Sequence, residues 1–543
     1  MNLNKVAFSI AFLLAVISVS AQKETYSWNH LPKAVLPTFK KDTFNIAKFG
    51  AVADGVTLNT KSINAAIDAC SAKGGGVVLI PQGLWLTGPI VLKSNVNFHI
   101  SHSALLQFTD DKSQYPLVLG EYEGHASPRN QSPVSGINLV NVAITGEGIL
   151  DGHGEVWRAI AKERLTESDW KDLVASGGLV SENGKEWLPS QSYLEGSKIK
   201  DLIKYQSGKT LKDYEPYKDF FRPNMVVLNN CKNVLLENTT FQNTPAWCLH
   251  TILCQNLTVK RVHVRNNWNA QNGDALDVES CKDVLVEGCT FDAGDDGICV
   301  KSGRDEDGRK RGVPTENMVV KDCIVYRAHG GFVIGSEMSG GARNIFVSNC
   351  TFIGTDIGLR FKTTRGRGGM VEKIYIKNIS MKDIIHEAIL FDMYYMVKAT
   401  KKETKPVTEA TPQFREFYVN NVVCNGAEKG LMIRGLPEMS IKGIHLENLV
   451  LKADKGAEII EAEDISLKNV NLISADTKPV VLIDNGRNIT LENIKYPSTA
   501  QLLFNITGDK AADIKVSKTD VSIAKEKATF NEGATDKALI IAK

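Results

Sequence analysis

The stretch "CKDVLVEGCTF" (Cys281–Phe291) has copies on both sides of it. "CKNVLLENTTF" (231–241) and "CQNLTVKRVHV" (254–264) precede it; "TENMVVKDCIV" (315–325), "ARNIFVSNCTF" (342–352) and "VEKIYIKNISM" (371–381) follow. Their leading apolar residues Val234, Leu257, Val284, Met318, Ile345 and Ile374 lie 23 to 34 residues apart. An earlier copy surrounds Val142, and weaker ones begin near Ile444, Ile465 and Ile489. Each unit alternates apolar and polar residues briefly, then turns through Asn, Gly or Asp, which is the pattern of a short strand. Strands at this period, with no helical pattern between them, predict an all-β fold: a single-stranded right-handed parallel β-helix, a solenoid whose coils pair about 4.8 Å apart. The copies lack the Leu-x-Leu and Asn signature of a leucine-rich repeat and the four-strand unit of a propeller.

A second strand of each coil gives a register. "ALDVES" (275–280), "GICVKS" (297–302), "GFVIGS" (331–336), "GLRFKT" (358–363) and "AILFDM" (388–393) superpose without gaps. Leu276, Ile298, Phe332, Leu359 and Ile389 form one apolar column; Val278, Val300, Ile334, Phe361 and Phe391 form another. Both columns are expected inside. The same register sets Asp274 beside Asp296 one coil on, and Asp295 beside His329. Arg360 and Lys362 take the outward parity on the coils that follow. Adjacent Asp295 and Asp296 would diverge in a regular strand, and a glycine-flanked bend is expected to turn both toward one groove.

An open solenoid end invites further strand pairing. Ile63, Ala66, Ile67 and Cys70 fall on one helical face, with Asn59 or Thr60 before them and Gly74 after, so an N-terminal capping helix is expected. Residues from about 155 to 222 break the rhythm with a charged, aromatic-rich, partly helical insertion, either a lid over a site or surface decoration. No linker divides the rest, so residues 22–543 are expected to form one β-helix domain.

The chain has 543 residues, 43% hydrophobic and 23% charged, and a formal net charge of +2. That neutrality argues against nucleic-acid binding through bulk charge. Residues 1–21, "MNLNKVAFSIAFLLAVISVSA", read as a secretory signal peptide cleaved near Ala21, too short in its apolar run to anchor in a membrane. Export, to the periplasm or beyond the cell, and a monomer are expected. Of the ten cysteines, Cys231, Cys254 and Cys281 share one repeat position, and Cys289, Cys323 and Cys350 another. This favours small buried ladder residues over disulfides.

Singly, each polar residue has a plain reading: Asp274 and Asp296 cap turns or bind calcium, His329 is a hydrogen-bonded ring, Arg360 and Lys362 sit on a solvated face. Together they make a site. Clustered carboxylates raise one another's proton affinity, so one can stay protonated while another is ionised, as glycoside hydrolysis requires. The cations beside them, with the basic loops "GRDEDGRKRG" (303–312) and "TTRGRGG" (363–369), suggest an acidic substrate.

The ordered set "NGDALD" (272–277), "GDDGICVKSG" (294–303), "AHGGFVIGS" (328–336) and "RFK" (360–362) resembles the motifs of glycoside hydrolase family 28, the polygalacturonases. The segment from Phe49 to Val96 also looks like that family's opening. The resemblance spans residues 44 to 395. It implies inverting hydrolysis of α-1,4 bonds between galacturonic acid residues of pectin, with no metal or other cofactor. By position Asp295 would protonate the leaving oxygen, Asp274 and Asp296 would activate water, and His329 would support the acid. Arg360 and Lys362 would hold the substrate carboxylate, and a family tyrosine falls at Tyr394, with Tyr395 as the alternative. Gly273, Ala275 and Ala328 depart from the family's usual threonine, glycine and glycine, which leaves substrate choice open. Exo action is expected if the insertion closes one end of the groove. The competing readings are a rhamnogalacturonan or xylogalacturonan hydrolase, a calcium-dependent pectate lyase, and a non-catalytic glycan-binding β-helix.

Overall fold

The computed structural model describes residues 26–397 and 403–542; the segment read as a signal peptide lies outside the described residues. The expected repeats stack in register. Val142 pairs with Val234, and the series continues through Leu257, Val284, Met318, Ile345 and Ile374, every pairing parallel. A coil at Gln413–Asn425, absent from the repeat series above, enters between Ile374 and Ile444; Phe417 takes its place in the column. The stack then runs through Ile465, Ile489 and Ile514. Apart from one hairpin and a small sheet in the insertion, the strand ladders are parallel and belong to two long sheets, one of them fourteen-stranded. The fold is a right-handed parallel β-helix.

Two physical devices keep the coils in register. The turns are closed by residues in the left-handed region, mostly Asn or Asp, which tolerate it best. Asn95, Asn141, Asn233, Asn256, Asp283, Asn317 and Asn344 all have φ between 54° and 64°. Their side chains bond along the axis: Asn141 donates to Asn95 at 3.0 Å, Asn233 to Asn141 at 2.9 Å and Asn256 to Asn233 at 2.9 Å. Inside, the two apolar columns pair as the register requires. The Phe361 ring centroid lies 4.6 Å from that of Phe391 and 4.8 Å from that of Phe417. All ten cysteines are unpaired and buried. Cys254 and Cys281 stack, the backbone N–H of Cys254 pointing at Cys281 Sγ at 3.4 Å.

Helix α1 (Thr60–Ala72) buries Ile63, Ala66, Ile67 and Cys70, and packs near the first strands. Asn59 precedes it but does not cap it: its side chain accepts instead from the Val52 N–H at 2.8 Å. The insertion holds helices α2 (Glu167–Ala175) and α3 (Gln191–Ser197) and three short antiparallel strands. Its Leu202, Tyr214 and Phe221 pack with Leu117 of a hairpin, Leu117–Tyr122 and His125–Asn130, that the sequence pattern did not single out. Among the described residues no helix is long and apolar enough to cross a membrane.

Candidate active site

The fourteen-strand sheet brings the charged residues together. Ala275 N–H donates to Asp296 O at 3.0 Å, and His329 N–H to Asp295 O at 2.8 Å, so Asp274 lies beside Asp296 and Asp295 beside His329. One carboxylate oxygen from each of Asp274, Asp295 and Asp296 lies within 4.8 Å of the others. All three line one cavity of about 520 Å³. Asp295 keeps 22% of its side chain exposed, whereas Asp274 and Asp296 keep 3% and 2% and form the floor. The glycines around the pair serve close packing rather than a left-handed bend. A Cβ on Gly294 would meet Ala270 O at 2.4 Å, and one on Gly297 would meet Val325 Cγ1 at 2.5 Å.

The cations divide unevenly among the carboxylates. Lys362 Nζ lies 2.7 Å from Asp296 Oδ2, and Arg360 Nη1 lies 3.1 Å from Asp296 Oδ1. Burial alone would raise the Asp296 pKa, but Lys362, Arg360 and Lys301 outweigh it and hold the group well below the usual carboxylate range. Among the described residues Asp274 has only Lys301, at 3.9 Å, and its Oδ1 is buried without a hydrogen-bond partner. Burial, then the charges of Asp277 and Asp295, push Asp274 well above that range. Neighbouring carboxylates are thus driven apart in proton affinity. His329 Nδ1 lies 3.0 Å from Asp295 Oδ1, and that hydrogen bond raises the imidazole pKa.

Two expectations need correction. Tyr394 does not face the cavity: it is buried in the core, with Arg365 and Arg434 over its ring. Tyr395 lines the cavity, with Lys362 Nζ 4.9 Å and Arg360 Cζ 5.7 Å from its ring centroid. The strand Glu387–Asp392 has ended before this pair, so strand parity no longer tells which ring turns outward. The basic loops are also largely neutralised by the chain itself. Residues Asp305–Arg311 form helix α4, and the helix region is tied to the hairpin: Arg304 to Glu123 at 2.7 Å, His125 to Asp307 at 2.8 Å, and Arg311 to Glu121. Arg365 is held by Glu438 through two contacts, at 2.6 and 2.9 Å.

Other residues enter the site unannounced. Lys301 Nζ sits 4.4 Å from the Trp247 ring centroid, 3.4 Å from Asp277 and 3.3 Å from Glu337. Burial, opposed by Lys301 and then His250, leaves Asp277 pushed up to about 7. Glu337 goes the other way: Lys301, Lys362 and Arg367 overcome its burial and bring it to about 2. Asp277 and Lys301 share the outward parity of Arg360 and Lys362, so the register contained the signal for them. Trp247, Glu337 and Glu123 come from loops, where it contained none.

The model of "Glycosyl hydrolases family 28" matches residues 162–416. A Vitis vinifera protein named probable polygalacturonase is 26% identical over 417 residues, 75% of this chain and 74% of that protein. The exo-poly-alpha-D-galacturonosidase of Dickeya chrysanthemi is 26% identical over 386 residues, 70% of this chain and 61% of that one. The crystal structure of a hyperthermoactive exopolygalacturonase from Thermotoga maritima superposes with a TM-score of 0.67 at 30% identity, covering 86% of this chain and 94% of that one. By these likenesses and the fold that carries them, the chain is a glycoside hydrolase and belongs to family 28.

Proposed function

We propose that the protein hydrolyses α-1,4-galacturonosidic bonds of pectin from a chain end, with inversion. The observation that carries this reading is the cluster of three carboxylates, one tied to two cations, on the floor of a cavity that the hairpin bounds on one side. Asp295, the most exposed of the three and held by His329, gives its proton to the glycosidic oxygen as the C1–O bond breaks. Water on the opposite face of the sugar attacks C1 and passes its proton to Asp274 or Asp296. Asp296, kept ionised by Lys362 and Arg360, is ready to accept that proton and stabilises the developing positive charge; Asp274, whose proton affinity is raised, accepts only in its ionised form. Arg360 and Lys362, which flank the Tyr395 ring, would hold the substrate carboxylate. The 4.8 Å approach of the carboxylate oxygens is closer than the roughly 6.5–9.5 Å usual for inverting pairs. Inversion is thus what likeness to family 28 implies rather than what this spacing gives, and proton NMR of the first-formed anomer tests it.

Chain-end action is supported by the hairpin, whose Glu123 lines the cavity and is latched to Arg304, and by the Thermotoga and Dickeya relatives named as exo-acting. The apolar run in residues 1–21, read as a signal peptide, supports export. Product analysis on defined oligogalacturonides and rhamnogalacturonan fragments, comparing native protein with Asp295→Asn, tests the whole reading. Monogalacturonate as the first product supports it. Oligomers as early products overturn the exo part, rhamnogalacturonan cleavage overturns the substrate, and an unsaturated, chelator-sensitive product would reveal a lyase. Activity that survives Asp295→Asn would remove the proposed acid.

A further inference from the structure

A second cavity, of about 380 Å³, lies on the other side of the hairpin. Its floor is the outward face of the same fourteen-strand sheet, on coils that precede the catalytic ones: Ile137, Val227 and Ile252. Its roof is the hairpin. It shares no lining residue with the catalytic cavity; Glu121 lines the one and Glu123 the other.

Three polar residues in its lining are underused. Arg129 is 6% exposed and stacks its guanidinium 3.9 Å from the Tyr122 ring centroid, yet its Nε and Nη2 have no hydrogen-bond partner among the described residues. No ion pair joins it to a described carboxylate. A guanidinium taken out of water wants a counter-charge. Asn130 donates its amide N–H groups to Lys218 O at 2.7 Å and Phe221 O at 2.9 Å, which fixes the amide orientation and leaves Oδ1 an unfilled acceptor. Asn224 is fixed by a longer chain. His250 Nε2 donates to the Glu279 carboxylate at 2.9 Å, and with the ring neutral its Nδ1 accepts from Asn224 Nδ2 at 3.0 Å. Asn224 Oδ1 is then also without a donor. The lining thus offers a cation with spare N–H groups, two carbonyl-type acceptors and an aliphatic floor.

That set matches a molecule with a carboxylate, hydroxyl groups and a C–H face. We propose that this cavity is a second, non-catalytic site for one uronic acid unit, its carboxylate on Arg129, its hydroxyls donating to Asn130 and Asn224, its C–H face on Ile137 and Val227. Galacturonate as the ligand rests on the proposed function; the carboxylate-plus-hydroxyl chemistry does not. The hairpin that bounds the catalytic cavity also roofs this one, so a monosaccharide in the second site lies next to the wall of the first.

The test is calorimetry of the full chain with free galacturonic acid, with galactose as the uncharged control. Two sites per native chain are expected, one of them lost, or weakened at least tenfold, in Arg129→Met. Ile137→Trp, at a rim residue 60% exposed, should fill the cavity, abolish the second site and leave oligogalacturonide hydrolysis within twofold of native. No site lost in Arg129→Met, no site lost in Ile137→Trp, or equal binding of galactose at the second site would each overturn the proposal. If hydrolysis of galacturonan were absent while an Arg129-dependent site for galacturonic acid remained, the proposed function would fall and this inference would stand.

Discussion

Lys362 Nζ meets Asp296 Oδ2 at 2.7 Å with both side chains almost wholly buried, although 66 residues separate them along the chain. Two coil steps join them. This ion pair holds one carboxylate of the cluster ionised well below the usual carboxylate range, and it also sets how the molecule should respond to pH.

Removing that cation with Lys362→Met should raise the Asp296 pKa, because the group that holds it down is gone. The acid limb of the kcat/KM profile should move to higher pH and the maximum should fall by at least about a hundredfold, since a charge-assisted contact and a substrate contact are lost together. Stability follows the same sign. A depressed carboxylate contributes stability above its unfolded pKa of about 3.9, and that contribution is lost as pH falls through its folded value. The stability advantage of the native chain over the variant should therefore be greatest near neutral pH and narrow as pH falls toward 3. Thermal melts from pH 3 to 7 that superpose for the two proteins would contradict this.

Asp274 carries the opposite sign. Its folded pKa is raised, so its contribution is fully present below the unfolded value and is lost as pH rises through the folded one. Asp274→Asn should raise Tm at pH 7, by roughly 1 °C for each kcal/mol of relieved burial and repulsion in a chain of this length, while lowering kcat by at least about a hundredfold. A variant less stable than native at pH 7 would show that Asp274 is not under electrostatic strain.

The hairpin should set product length. At Gly124, φ is +74° and an added Cβ would lie 2.5 Å from Arg304 N, so Gly124→Leu must displace the tip against α4. Oligomers should then appear among early products at the expense of monomer. An unchanged product series with a normal melt would remove the hairpin from the account of chain-end action. The surface pairs that latch it are worth only about 0.2–1 kcal/mol each, so overall stability should change little.

In the interior, Phe361→Ala should cost about 3–5 kcal/mol, because it empties a column position between Ile334 and Phe391 that neighbouring coils cannot close. Denaturant unfolding measures it. A loss under 1 kcal/mol would mean the ring stack carries little of the core.

His329 should govern the alkaline side. Its pKa is raised by Asp295, so the charged hydrogen bond is lost as pH rises through that raised value. His329→Gln keeps a neutral donor, and it should flatten the alkaline limb and lower kcat tenfold or more. An unaltered limb would assign that limb to another group.

Much of this arrangement was legible in the chain because parallel coils pair in register: a repeat position along the sequence becomes a lateral neighbour in space. That logic carried Val234 to Ile374 into one column, set Asp274 against Asp296 and Asp295 against His329, and gave Arg360 and Lys362 their side of the sheet. The same parity also held Asp277 and Lys301. It failed at Tyr394 and Tyr395, where the strand has ended and successive side chains no longer alternate. It was silent on Glu121, Glu123 and His125, whose partners Arg311, Arg304 and Asp307 lie more than 180 residues away with no period to connect them.

The sequence by itself therefore determined the stack and the row of charges on it, since both follow from periodicity and backbone pairing. Only the tertiary structure decided which cations are spent on the chain's own acids and which face the cavity. It also decided that a hairpin, rather than the insertion alone, divides the groove. Those outcomes depend on contacts between non-repeating segments, where side-chain fit and charge complementarity, not register, choose the neighbour.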